Sequence, residues 1–166
     1  LEQGARLPEV GVASRAVERE GFVVIGIRHV LRLRVARPHL AEEIDRQAKT
    51  AGLRQRVLLE VNLAGEASKG GFEPTTLGAA LESLNGLEHL DIRGLMAIPP
   101  PTPTAEDARP YFRQLRTLAQ TLTARGHRNI NMQELSMGMS HDYPVAIEEG
   151  ATYVRVGTAI FGARDE

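Results

Sequence analysis

The stretch ELSMGMSHDYPVAIEEGATYVRVGTAIFG, residues 134–162, reads as strand, turn, helix, turn, strand. "MQELSMGM" is the first strand and "DYPVAIEEGA" a short helix. "YVRVGTAIFG" is a final strand, with Ser140 and the Gly157-Thr158 pair just beyond the ends of the two apolar segments. Two strands joined through a helix pair side by side and parallel, and such a crossover is right-handed.

The same period extends toward the N-terminus. "HLAEEIDRQAKTAG" has apolar or small residues at Leu40, Ala41, Ile44 and Ala48, acids in its first turns and Gly52 as a stop, which predicts an amphipathic helix. "RVLLEVNLA" follows as a strand over 57–63, apolar on both faces except at Glu60 and Asn62. Strands of that kind belong to sheets covered on both sides. The loop "GEASKGGFEPTT" leads into a helix, "LGAALESLNGL", for which Thr75 or Thr76 is the expected cap. "DIRGLMAI" is a strand stopped by "PPPTPT", because proline has no ladder donor. "AEDARPYFRQLRTLAQTLTARG" is a long amphipathic helix with Tyr111 or Phe112, Leu115, Leu118, Ala119 and Leu122 on one stripe and Pro110 near its first turn. The alternation makes the chain α/β with a parallel sheet. Residues 1–37 do not fit it. "GFVVIGIRHVLRL" is one strand or two, and the arginines at 32, 34 and 37 follow no helix or turn logic.

The 166 residues, 42% hydrophobic and 25% charged, are enough for one core. A net charge of -1 gives no reason to expect nucleic acid or an anionic membrane as partner, and no apolar run approaches the roughly 20 residues of a membrane span. We therefore expect a chain without membrane attachment, working in the cytoplasm. With no cysteine there is no disulfide, thiolate metal site or cysteine nucleophile. The five histidines lack a metal-binding spacing and are expected at the surface or in loops. Arginines number 18 and lysines only two, Lys49 and Lys69. Residues 1–37 hold seven arginines and four glutamates, +3, while the remainder carries -4.

In parallel α/β proteins ligands bind beyond the carboxyl ends of the strands. That rule collects Asn62, Met96 with Ala97, Ser136 to Ser140, and Arg155 to Thr158. Gly157 permits close approach of backbone to ligand, Thr158 adds a hydroxyl and an amide, and Ser140 precedes a helix whose N-terminus favours anions. Together they make a phosphate cradle. Singly, Gly157 also reads as a strand bend, Ser140 as the cap of a helix starting near His141, and Arg155 as a surface ion-pair partner. Arg155 and Gly157 fall on one face of the strand, and a guanidinium facing an aromatic ring nitrogen would keep that nitrogen unprotonated.

These residues carry a resemblance. "IRGLMAIPP", "VNLAGEASKGGF", "ELSMGMSHDYPVAIEEGAT" and "VRVGTAIFGAR" closely resemble the pyridoxal 5′-phosphate (PLP) homeostasis proteins, whose fold is like the N-terminal barrel domain of alanine racemases. The resemblance runs from about Pro38 to Arg164. It implies a (β/α)8 barrel with PLP at its C-terminal mouth, Ser140 and the backbone of Gly157 and Thr158 on the phosphate, and Arg155 on the pyridine nitrogen. An uncharged pyridine is a weaker electron sink than a pyridinium, in keeping with carriers that regulate PLP supply to apoenzymes and have no robust catalysis of their own.

The family's apolar-Ser-Lys motif, whose lysine holds the PLP aldehyde, is absent from this sequence, as are its Gly-Glu-Asn and His-Phe-Ile-Gly segments. Lys69 matches the family pattern in a different loop and reads as solvated; Lys49 sits near a helix end. Residues 38–166 are therefore expected to be the C-terminal half of a PLP-binding barrel, after an unmatched segment, 1–37, that a frame shift or a misplaced gene start would explain. A half barrel would leave two sheet edges and an apolar inner face, which predicts self-association. The alternatives are an alanine-racemase-like PLP enzyme fragment, which would need a lysine and an opposing tyrosine from a second domain, and a remnant that binds nothing.

Overall fold

The structure, a computed structural model, describes residues 33–66, 69–123 and 129–162. Five strands form one sheet: β1 Leu33–Val35, β2 Gln55–Glu60, β3 Leu90–Met96, β4 Ile130–Met139 and β5 Tyr153–Arg155. Every neighbouring pair is parallel and the spatial order is the chain order. Sequential order is that of a (β/α) barrel wall; a doubly wound sheet reverses direction at a switch point. The helices are α1 Pro38–Thr50, α2 Pro74–Leu84, α3 Arg109–Thr123, α4 Tyr143–Glu148 and α5 Thr158–Phe161. None of the described helices is long and apolar enough to cross a membrane.

Several expected boundaries move, each for a local reason. The strand expected over 57–63 starts at Gln55 and ends at Glu60, leaving Val61 to bridge Phe72. Prolines open α1 and α2, for α2 in place of the expected threonine cap, since the missing N–H of Pro38 or Pro74 costs nothing in a first turn. α2 therefore begins at Pro74, and Thr75 and Thr76 lie inside it. The acids of α1 fall beyond its first turn for the same reason. In "YVRVGTAIFG" only Tyr153–Arg155 is strand; after Gly157 the chain turns into α5. "LRV", which had no assignment from sequence, is edge strand β1, in register with β2 at Leu33–Val57 and Val35–Leu59. "GFVVIG" lies outside the described residues.

The apolar stripes of α1 to α4 and alternate strand residues share one core. Val35, Val57, Leu59, Leu90, Ile92, Leu95 and Met137 meet Ala41, Leu77, Leu81, Phe112, Leu115 and Ala146, nearly all of them fully buried. The opposite sheet face, expected to be apolar, is instead mostly charged. Arg34 reaches Glu60 at 3.2 Å, Arg56 reaches Asp91 at 3.6 Å, and Arg93 lies 3.7 Å from Asp91 and 3.6 Å from Glu134. The period of two accounts for the difference: the apolar strand residues are spent on the helix side, and Leu58 and Met96 are the buried apolar residues between the charges.

Register shifts at Ile92/Gly94 bring β3 and β4 unusually close. A Cβ on Gly94 would collide with the Glu134 carbonyl and its backbone neighbours. Gly94→Ala is expected to lower stability by about 3 kcal/mol in urea unfolding, the upper range for overpacking; an unchanged midpoint would mean the two backbones can separate without cost.

Outside the sheet, Glu149 is buried just after α4 and gathers three arginines of α3. Arg109 Nη1 approaches at 3.1 Å, Arg113 Nη2 at 3.0 Å and Arg116 Nη2 at 3.0 Å. Hydrogen bonds from Arg113 and Arg109 hold the Glu149 carboxyl below the usual carboxylate range. A lowered folded-state value means that the contribution is complete above the unfolded value, near pH ~4.3, and is lost as pH falls through the folded one. Glu149→Gln should therefore be less stable than the wild type at neutral pH, with the difference shrinking below about pH 4; parallel melting curves at the two values check this.

Candidate functional site

The carboxyl ends of β3, β4 and β5 meet around Arg155. Its side chain leaves the last residue of β5, crosses β4 and reaches β3: Nη2 donates to the Ala97 carbonyl at 2.9 Å, and Nη1 donates to the Ser136 carbonyl at 3.2 Å and to Ser136 Oγ. Arg155 is 8% exposed, and its Nε–H is buried with no partner among the described residues. All of its hydrogen-bond acceptors are neutral. Burial pushes its pKa down to about 10, opposed by the charges of Asp142 and Glu60. A buried cation with an orphaned donor is costly unless something else accepts that hydrogen bond.

Beside it, Ser140 Oγ accepts from the Gly157 amide at 3.0 Å and the Ala159 amide at 3.2 Å. Ser140 is aimed there by a tight turn after β4. Asp142 Oδ1 accepts from the Met139 amide at 2.7 Å, while the Asp142 amide donates to the Met139 carbonyl at 3.1 Å. Gly138, with φ +92°, lets the strand end pass under α4, where a Cβ would sit 2.6 Å from Ala146 Cβ. Gly157 is open: nothing lies within 4 Å of where its Cβ would be. The helix after Ser140 starts at Tyr143 with Asp142 as its N-cap, so Ser140 caps nothing there; its oxygen serves the start of α5.

Hydrogen bonds therefore join Ala97, Ser136 and Arg155 in one group and Ser140, Gly157 and Ala159 in a second. Met96 adjoins the first, paired with Ser136 across β3 and β4, but is buried. Thr158 is exposed in the first turn of α5. Asn62 stands apart: its carboxamide donates to the Glu66 carbonyl at 2.9 Å and accepts from the Glu66 amide at 3.2 Å, bracing the loop after β2. The alternative reading of Arg155 as a surface ion-pair partner does not hold, because it is buried and bound to neutral oxygens. The Ala159 amide and the Asp142 brace were missed from sequence. A strand through 157–162 hides the former, and a carboxylate turned back to its own loop has no periodic signal.

Lys69 is ion-paired with Glu66 at 2.7 Å in the loop after β2, and Lys49 lies in the last turn of α1. Among the described residues no group of three His, Asp or Glu could hold a metal ion. The orphaned Nε–H and the Ser140 hydroxyl, which accepts two amides and keeps its own proton to donate, suit a ligand with one neutral acceptor and one anionic oxygen group.

Comparison with known proteins bears on the fold and the family. The alanine racemase N-terminal domain family matches residues 8–165, a span that includes most of the segment left unassigned from sequence. A pyridoxal phosphate homeostasis protein of Aquifex aeolicus is 49% identical over 128 residues, 77% of this chain and 55% of that protein. The structure of PipY from Synechococcus elongatus without PLP superposes with TM-score 0.71 at 42% identity, covering 77% of this chain and 59% of PipY. PipY with PLP bound superposes with TM-score 0.68 at 40% identity, covering 77% and 58%. The chain thus spans a little over half the length of these relatives. Sheet order and these matches lead to one conclusion: the chain belongs to the alanine racemase N-terminal domain family and is similar to pyridoxal phosphate homeostasis proteins.

Proposed function

We propose that the chain binds PLP at the ends of β3, β4 and β5 and serves PLP homeostasis in the cytoplasm, without robust catalysis of its own. The observation that carries this reading is the pairing of a buried, partly unsatisfied arginine with a hydroxyl that collects two backbone amides. The Ser140 hydroxyl, whose oxygen accepts the Gly157 and Ala159 amides, donates its own proton to the phosphate beside the exposed backbone of Gly157 and Thr158, with Arg155 on the ring nitrogen. Ser136 and Met96 form the floor, and Asn62 shapes the neighbouring loop. Bound PLP is an electron sink in amine chemistry; here Arg155 faces the nitrogen with a donor and no carboxylate, which leaves the nitrogen unprotonated and the sink weak.

Of the two lysines in the sequence, Lys69 is paired with Glu66 and Lys49 lies on the outer helix α1. What these residues supply is non-covalent, through phosphate and ring. Delivery to PLP-dependent apoenzymes is the corresponding role of the protein. β1 and β5 each have one neighbour in the described sheet, so their outer edges suit self-association or a complementing strand.

Equilibrium dialysis against PLP tests the reading. The open space at Gly157 allows Gly157→Asp to fold while placing a carboxylate over the cradle. The wild type is expected to bind and this variant to weaken binding at least about a hundredfold, as a buried like-charge contact would. Ser140→Ala, which removes the shared hydroxyl, should weaken it about tenfold. Equal retention by wild type and Gly157→Asp, or no binding by the wild type, would overturn the assignment.

A further inference from the structure

Ser136 is buried, 7% exposed, in the last turn of strand before the loop that carries Ser140. Its carbonyl already accepts the Ala97 amide at 3.1 Å and has only its remaining lone pair for Arg155 Nη1 at 3.2 Å. Its hydroxyl is the closer acceptor, and the other anchor of the guanidinium is the Ala97 carbonyl at 2.9 Å. Both carbonyls belong to backbone that any residue supplies. The hydroxyl of Ser136 is thus the side-chain acceptor, among the described residues, that holds the fork of Arg155. An arginine side chain has several rotatable bonds and would otherwise sample many orientations across the sheet. With Nη1 donating twice to Ser136 and Nη2 anchored on Ala97, the buried Nε–H is the guanidinium nitrogen that has no partner among the described residues.

We propose that Ser136 is a positioning residue: lying beneath Arg155, it fixes the guanidinium so that its unpartnered Nε–H faces the ring nitrogen of the cofactor. This rests on the PLP reading above and refines it, because it moves Ser136 from ligand contact to support. The physical consequence is selective. Loosening Arg155 should harm recognition of a pyridine ring and leave the Ser140, Gly157 and Ala159 cradle untouched, since no hydrogen bond links Ser136 to that cradle among those described.

The test uses two probes. Inorganic phosphate reads the cradle alone; pyridoxine 5′-phosphate carries phosphate and pyridine ring but no aldehyde, so no lysine adduct can form. Calorimetric titration of Ser136→Ala should show phosphate affinity within about twofold of wild type and pyridoxine 5′-phosphate affinity reduced about tenfold, the usual worth of a hydrogen bond to a charged group. In an Arg155→Gln background, Ser136→Ala should cost nothing further, because the two act as one unit. Equal losses for both probes, or losses that add in the Arg155→Gln background, would mean that Ser136 only supports the fold, and would overturn the inference. So would full affinity for both probes in Ser136→Ala. A wild type that binds phosphate but not pyridoxine 5′-phosphate would overturn the cofactor reading itself, and the inference with it.

Discussion

A single guanidinium ties the ends of three strands together. Arg155 starts on β5, passes over β4 and ends at the carbonyl of Ala97 just after β3, so the geometry of the site is as rigid as the sheet beneath it. The arrangement has a cost. A desolvated cation with only neutral acceptors gives up the hydration of its charge, and the lowered pKa of Arg155 records that loss. Such an arrangement persists when the rest of the fold over-determines it. Here the parallel ladder supplies the carbonyls at fixed spacing, and one serine supplies the third acceptor.

The ladder in turn depends on close backbone approach. Gly94 opposite Glu134 lets β3 and β4 run together through a register shift, which brings Met96 and Ser136 level at the end of the sheet. Gly138 does the same for the passage from β4 to α4. Both glycines lie in strands where ordinary propensity disfavours them, and both are explained by the atoms that a Cβ would meet.

The two faces of the sheet divide the work. One is sealed by α1 to α4 over a continuous apolar core. The other carries Arg34, Glu60, Asp91, Arg93 and Glu134 as partly exposed pairs below Arg155. Pairs of this exposure contribute little to stability. The arginine clasp on Glu149 lies on the helix side, where it joins α3 to the end of α4 and so supports the turn carrying Ser140 from outside.

By itself the sequence determined the βαβ period, the apolar stripes, the stop at the prolines after β3, and the serine, arginine and glycine that stand at the strand ends. These are local signals, carried by side-chain periodicity and by residues with special backbone chemistry. Tertiary structure alone decided the rest. A pattern of period two says that faces alternate, not which face the helices will take, so the charged face was expected to be apolar. Three residues of "LRV" are too short to signal a strand until β2 offers them a ladder. Sequence left a surface ion pair open for Arg155 because its three acceptors, the carbonyls of Ala97 and Ser136 and the hydroxyl of Ser136, lie 58 and 19 residues away in the chain. Only a folded parallel sheet places those oxygens within reach of one guanidinium.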